Sequence, residues 1–482
     1  MTRIKIGLIV GAKAEHHTAT MHPKPLNTGI SAPTKILALL CAMYFVNYIV
    51  RVNVSTASAV FQPELHLSNT EVGLIFSAFA YPYLLFQIAG GWVADKFGAR
   101  RALTVFAILW SSATVLMGLT SASTFVGGVL LDILGRLGIH MPQLRPVVAG
   151  MFVARVLLGI GVSALPVATR AMSNWTAAEK RGFAQGITHA FARLGNSVTP
   201  LLVTYLILLT TWRGSFVIVG MASFLWAVVW VIYFRDDPAE HQGVSAADLE
   251  RLPKKRVKTA ARVPFGRLAV RIFPVTLVYF CYGWTLWFFL AWIPSYFLHS
   301  YQLKLTSSAF FTFCVFLAGT LGDFLGGVAS DRIFERTHSR TKARRNLIVA
   351  GFLISTVFMA PVLLIHDLTT IVLSLSMAFF CSEFTVGAFW AIPMDIAPRY
   401  SGFASGFMNS GSALAAIVSP LIGGYILDKT GNWAMTFVAG IALLLFGAIL
   451  AFWMKPDEEL EDPADGERIT NVARSPAPSP AG

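Results

Sequence analysis

From about residue 34 to residue 454 the chain is a succession of apolar runs, each close to twenty residues long and separated by polar connectors. At about 1.5 Å of rise per residue, a helix of that length spans the roughly 30 Å hydrocarbon core of a bilayer. The runs lack the polar face that a helix on the surface of a soluble core would need. Charged residues are only 13% of the 482, against about 25% in an ordinary soluble domain. The predicted class is an all-α integral membrane protein.

Twelve spans are expected, near 35–59, 70–93, 101–121, 148–171, 183–209, 214–234, 270–297, 305–329, 346–366, 369–393, 403–427 and 433–454. They fall into two sets of six. Residues 1–33 read as an N-terminal tail, 34–234 as the first six-helix bundle, 235–269 as a central loop, 270–455 as the second bundle and 456–482 as a polar, disordered tail. The central loop is basic. Placing it in the cytoplasm puts DKFGARR, AAEKR, DRIFERTHSRTKARR and PRYSG on the same side, as the positive-inside rule requires, with both termini inside. Residues 121–147, which include Asp132, Arg136 and Arg145, would reverse the second half if they crossed the membrane. They are expected to form an extended external loop with an amphipathic helix on the membrane surface.

Two bundles joined by a loop is the plan of a transporter whose substrate site lies between them at mid-membrane. Weak internal similarity supports a duplication: GGWVADKFGARR follows span two and GGVASDRIFERT follows span eight. The net charge of +13 sits in the connectors. It orients a membrane protein and does not indicate a nucleic-acid partner. Cys41, Cys281, Cys314 and Cys381 lie in apolar runs, with no disulfide framework or metal spacing. No nucleophile–base pair or phosphate loop points to an enzyme, and no cofactor is expected.

Gly91, Asp95, Lys96, Gly98, Arg100 and Arg101 form G-x-x-x-D-[RK]-x-G-x-[RK]-[RK]. A glycine there lets two helices approach, and the acid can face a helix N-terminus or an arginine, so the cluster suits a conformational latch. This loop resembles the signature of the major facilitator superfamily. NYIVRVNVSTASAVFQPELHLSNTEVGLIFSAFAYPYLLFQIAGGWVADKFGARR, YFRDDPAEH, FLAGTLGDFLGGVASDR and MDIAPRYSGFASGFMNSGSALAAIVSPLIGGYILD are similar to the anion:cation symporter family of sugar-acid and organic-anion carriers. The resemblance covers about residues 35–455 and implies the major facilitator fold.

It also implies roles. In the family, span one carries N-Y-x-D-R, with the arginine on the substrate carboxylate and the acid in proton coupling. Asn47, Tyr48 and Arg51 match, but the acid position is Val50. Span four carries an arginine followed seven residues later by a glutamate. Arg155 matches and position 162 is valine. The resemblance further assigns Tyr83 and Asn409 to substrate binding and places the polar residue of span five at Ala192, beside Arg193. His189 and Arg193 are four apart and share a helix face, which favours an anion. Core packing or helix–helix hydrogen bonding is the plainer alternative for Tyr83 and Asn409, and Arg155 can equally organise the bundle.

Arg51 raises the central problem. A cation at mid-bilayer costs from about 3 to more than 10 kcal/mol without a partner, and spans one to six contain no acid beyond Glu64, Glu71 and Asp95 near their ends. The expected resolution is a wet cavity in which an anionic substrate supplies the charge. Glu383 and Asp323 are the acids within the second-half spans; Glu383 and His189 are the coupling candidates, although an acid in a structural pair is the commoner case. The aromatic run YFCYGWTLWFFLAWIPSYF of span seven can line a pocket or simply pack. The function expected is secondary active transport of a small organic anion by a monomer in the bacterial inner membrane, with protons as one candidate coupled ion. Anion exchange or facilitation, cation or drug export, and transporter-like sensing are the alternatives.

Overall fold

A computed structural model describes residues 31–177, 181–252, 265–397 and 400–460. The expected tails lie largely outside these residues. The described chain is helical throughout, because in hydrocarbon each backbone polar group must be satisfied within its own segment.

The first bundle contains α1 (Ala32–Glu64), α2 (Asn69–Ser77), α3 (Ala80–Phe97), α4 (Ala99–Gly118), α5 (Thr120–Arg136), α6 (Pro146–Val162), α7 (Leu165–Trp175), α8 (Arg181–Leu209) and α9 (Trp212–Tyr233). A short α10 (Ala246–Arg251) lies in the connector. The second bundle contains α11 (Phe265–Ser300), α12 (Leu305–Thr337), α13 (Leu347–Met359), α14 (Leu368–Glu383), α15 (Val386–Ile396), α16 (Ser401–Thr430) and α17 (Trp433–Leu450). Among the described residues, eleven stretches are long and apolar enough to cross a membrane. The expected span 70–93 is divided between α2 and α3, which together run the length of a twelfth. Outward apolar side chains such as Leu225, Val357 and Leu373 are left exposed, as a lipid-facing surface requires.

Local chemistry sets the ends. Ser68 and Glu71 form a reciprocal capping box at the start of α2, Asp367 caps α14, and Gly431 ends α16 in the left-handed region. Spans four and ten are each broken in two. In span four the break is Ser163–Ala164, between α6 and α7; in span ten it is Phe384–Thr385, between α14 and α15. The two breaks are equivalent: a two-residue gap followed by an eleven-residue helix. Their last helical residues are Val162 and Glu383.

Residues 120–136 are helical, and α5 packs antiparallel on the start of α6. The approach is so close that the Ser123 carbonyl occupies the place a Cβ on Gly150 would take. Phe125, Val129, Ile133 and Leu137 form an exposed apolar stripe on it, with Asp132 and Arg136 paired at 2.8 Å.

The bundles meet through α1 and α11, α2 and α16, and α8 and α12. At the face opposite the basic connectors, the Asp428 carboxylate of α16 accepts from the Asn69 and Thr70 backbone N–H groups at 2.9 and 2.7 Å and from both side chains. One carboxylate thus caps α2 across the bundle interface, where the helix N-terminus favours negative charge. Towards the basic face, a cavity of about 290 Å³ separates α3 from α11 and α16.

Candidate functional site

Arg51 is buried, and its guanidinium lies between two aromatic rings, 4.7 Å from the centre of Tyr48 and 4.8 Å from that of Tyr83. Its Nη2 donates to the Val162 carbonyl at 3.0 Å. That carbonyl is free for a chemical reason: it ends α6, and Pro166, four residues on, has no N–H to return. It also belongs to the negative end of a helix. The residue where the resemblance leads one to expect a glutamate therefore still meets Arg51, but through its backbone.

Arg155 repeats the pattern. Its Nη1 and Nη2 donate to the Val50 and Arg51 carbonyls at the long distances of 3.4 and 3.3 Å, and its guanidinium lies 4.9 Å from the Phe79 ring centre. Both valines that replace the expected acids thus contribute carbonyl oxygens to these arginines. Neutral oxygens satisfy donors without cancelling charge. Both Nε atoms have no hydrogen-bond partner, nor does either amide atom of the fully buried Asn47. Leaving such groups bare is costly, so the arrangement asks for a ligand or water.

Arg51 and Arg155 line a small cavity between the bundles with Ser55, Phe79 and Trp287. It holds about 20 Å³, on the order of one water molecule. A carboxylate enters only if the bundles move apart. Of the aromatic run in α11, Trp287 reaches this cavity and donates to Ser412 Oγ. Trp292 and Tyr296 instead pack against Trp433, which is ordinary core packing.

Arg193 has different surroundings. Its Nε donates to Asp323 Oδ2 at 2.7 Å, and its Nη1 lies 3.0 Å from Glu383 Oε2. Both acids come from the second bundle, so the guanidinium bridges α8 to α12 and α14. Tyr282 of α11 donates to Glu383 Oε1 at 2.7 Å. His189 is one turn earlier on α8, with its ring 5.8 Å from that of Tyr44. The shared face expected of His189 and Arg193 is present, but Arg193 meets carboxylates already in the protein.

Of the other sequence candidates, Tyr83 sits under Arg51, whereas Asn409 lines the larger cavity with Ser410 and Phe407, apart from the arginines. In the latch motif, the surroundings of Gly91 and the side chain of Asp95 lie outside what the structure describes. Gly98 adopts φ +83°, where a side chain is disfavoured, and the Asp236 carboxylate fills the space a Cβ would need. Asp236 also accepts from the Arg100 backbone, and Arg100 Nε donates to the Val231 carbonyl, both at 3.0 Å. Lys96 lies 5.3 Å from the Phe97 ring centre and Arg101 is exposed.

Sequence reasoning missed the Val162 carbonyl, Tyr282, Trp287 and Asp428. Pro166 was the available signal for the first. The others look like packing or surface residues until their partners are known.

The Major Facilitator Superfamily model matches residues 40–417 and 339–479. A probable sulfoacetate transporter of Cupriavidus necator is 40% identical over 433 residues, 89% of this chain and 95% of that protein. The hexuronate transporter of Bacillus subtilis is 26% identical over 409 residues, 84% of this chain and 90% of its own length. A D-galactonate transporter of Escherichia coli is 28% identical over 444 residues, 87% and 96% of the two chains. Among solved structures, a bacterial homologue of the human lysosomal transporter Spinster, inward-facing and occupied, superposes with a TM-score of 0.69 at 17% identity, over 87% of this chain and 96% of that one. That likeness speaks to fold alone.

Proposed function

We propose that this chain, which belongs to the Major Facilitator Superfamily, carries a small organic anion across the membrane by alternating access. Its relatives are transporters of organic anions and sugar acids rather than enzymes. The observation that carries the proposal is the pair Arg51 and Arg155, two buried guanidinium groups with carbonyl partners facing a cavity between the bundles. Tyr48, Tyr83 and Asn47 complete the site on the first bundle, and Trp287 closes it from the second. The substrate class is a short carboxylate or sulfonate, with sulfoacetate and sugar acids the first to try. The protein is placed in the bacterial inner membrane as a monomer with both termini in the cytoplasm, and α5 at the external membrane surface.

Anion arrival neutralises the arginines and lets the cavity close around it. The cap that Asp428 of α16 places on α2 then marks the external closure, and the cavity at Asn409 the cytoplasmic opening. Uptake of a monoanion against an inside-negative potential costs about 2.3 kcal/mol per 100 mV, so accumulation needs a coupled cation or an exchanged anion. Val50 and Val162 favour exchange over coupling at the positions the resemblance implies. The test is sulfoacetate and D-galactonate flux in proteoliposomes, wild type beside Arg51→Ala. Flux that disappears in the variant supports the reading; equal flux in both removes Arg51 from the site.

A further inference from the structure

Glu383 is 1% exposed, and one positive group serves two acids there. Arg193 pairs with Asp323 at 2.7 Å and with Glu383 at 3.0 Å. With both carboxylates ionised the cluster carries an uncompensated negative charge. Glu383 Oε1 takes the Tyr282 hydroxyl, but Oε2 is buried and accepts no aligned hydrogen bond, since the Arg193 contact is one of proximity. Asp323 and Arg193 are about one-fifth exposed, at 21% and 19%, beside a sealed Glu383. Around it stand Arg193 of α8, Asp323 of α12, and Tyr282 and Tyr279 of α11. His189 and Tyr48 face the Arg193–Asp323 side, and α13 contains no ionisable side chain.

We propose that the Arg193–Asp323–Glu383 cluster is the proton-binding site of the transport cycle, taking up one proton on Glu383 when an anion occupies the Arg51–Arg155 pair. This rests on the anion-transport reading above and names its coupled ion. One proton from the aqueous side adds to Glu383 Oε2 and leaves on the other side of the membrane; no other bond forms or breaks.

Two features link the sites. An anion at Arg51 and Arg155 cancels positive charge in the same low-dielectric interior, where Coulomb interactions are long-ranged. A second negative charge on the cluster is then less favourable, and proton uptake relieves it. By linkage, the proton must favour anion binding to the same degree. The second feature is α11, which carries Tyr282 on Glu383 and, five residues on, Trp287 in the wall of the arginine cavity. With Glu383 protonated, Arg193 is matched one to one by Asp323. The grip of the first bundle on the second falls from two ion pairs to one, and the bundles are freer to rock.

The experiment uses sulfoacetate in proteoliposomes, read two ways: accumulation driven by an acid-outside pH gradient, and gradient-free counterflow against internal sulfoacetate. Glu383→Gln and Asp323→Asn each remove the excess charge. Both are expected to lose gradient-driven accumulation by about tenfold, within the usual range of a coupling between sites, while counterflow continues and shows that the variants fold and cycle. Accumulation at the wild-type level in both variants overturns the proposal. So does wild-type counterflow with no gradient-driven accumulation beside it, although anion transport then stands. Loss of counterflow in both variants assigns the cluster to rocking or folding instead. Absence of flux in the wild type for sulfoacetate and for D-galactonate removes the underlying transport reading itself.

Discussion

The breaks in spans four and ten occupy equivalent places in the two bundles, yet they end on opposite chemistry. The first presents the Val162 carbonyl to Arg51 of span one; the second presents the Glu383 carboxylate to Tyr282 of span seven and to Arg193. Arg51 and Tyr282 each stand twelve residues ahead of a proline in their helices, Pro63 and Pro294. One half therefore holds a cation whose charge is not cancelled, and the other an acid with more negative charge around it than one guanidinium can match. What differs is the partner each break offers, a neutral carbonyl at the first and a carboxylate at the second; on the proposals above, an anion completes the one and a proton the other.

Removing Arg193 tests the acidic half most severely. Arg193→Ala strands Glu383 and Asp323, and losing one partner of a buried ion pair costs about 3–5 kcal/mol. Thermal unfolding is expected to show a larger drop than for any other single substitution at the two breaks, partly recovered when Glu383→Gln is added; additive effects of the two changes would show that the pair is not coupled. Arg51→Ala tests the cationic half. Truncating a buried charged contact costs about 2–5 kcal/mol, so anion uptake should fall by at least about tenfold at 1.4 kcal/mol per decade. Sulfoacetate should also cease to stabilise the purified protein.

Val162→Glu makes the two breaks alike. A carboxylate within reach of Arg51 cancels the charge the anion needs, and the apparent affinity should weaken by about tenfold, a 1.4 kcal/mol change. An unchanged affinity would mean that Arg51 binds through shape rather than charge. The smallest effect is expected at Asp428→Asn. Asparagine keeps an acceptor but not the charge, for a loss of about 1 kcal/mol of closure. Spin labels on α2 and α16 should then report a larger separated population at that end.

Much of the architecture was legible because it is local. A twenty-residue apolar run records by itself that it is long enough to cross a bilayer as a helix. Some of the site was legible for the same reason: Arg51 and Arg155 are conspicuous as cations among apolar neighbours. The resemblance grouped Tyr48 and Tyr83 with Arg51, and both rings lie against its guanidinium. Arg193 was expected beside an anion because it shares a helix face with His189. Its partners lie in the other bundle, where no periodicity within α8 could reveal them.

The sequence by itself determined the helical membrane class, the rough position of most spans and the presence of cations within apolar runs, since each follows from composition and spacing within one segment. Only the tertiary structure decided which counter-charge each arginine meets. Arg51 and the Val162 carbonyl are 111 residues apart and Arg193 and Asp323 are 130 apart, so those pairings depend on how separate helices pack. That packing leaves Arg51 with a neutral carbonyl as its partner and Arg193 with carboxylates, in an interior where such differences in charge are felt strongly.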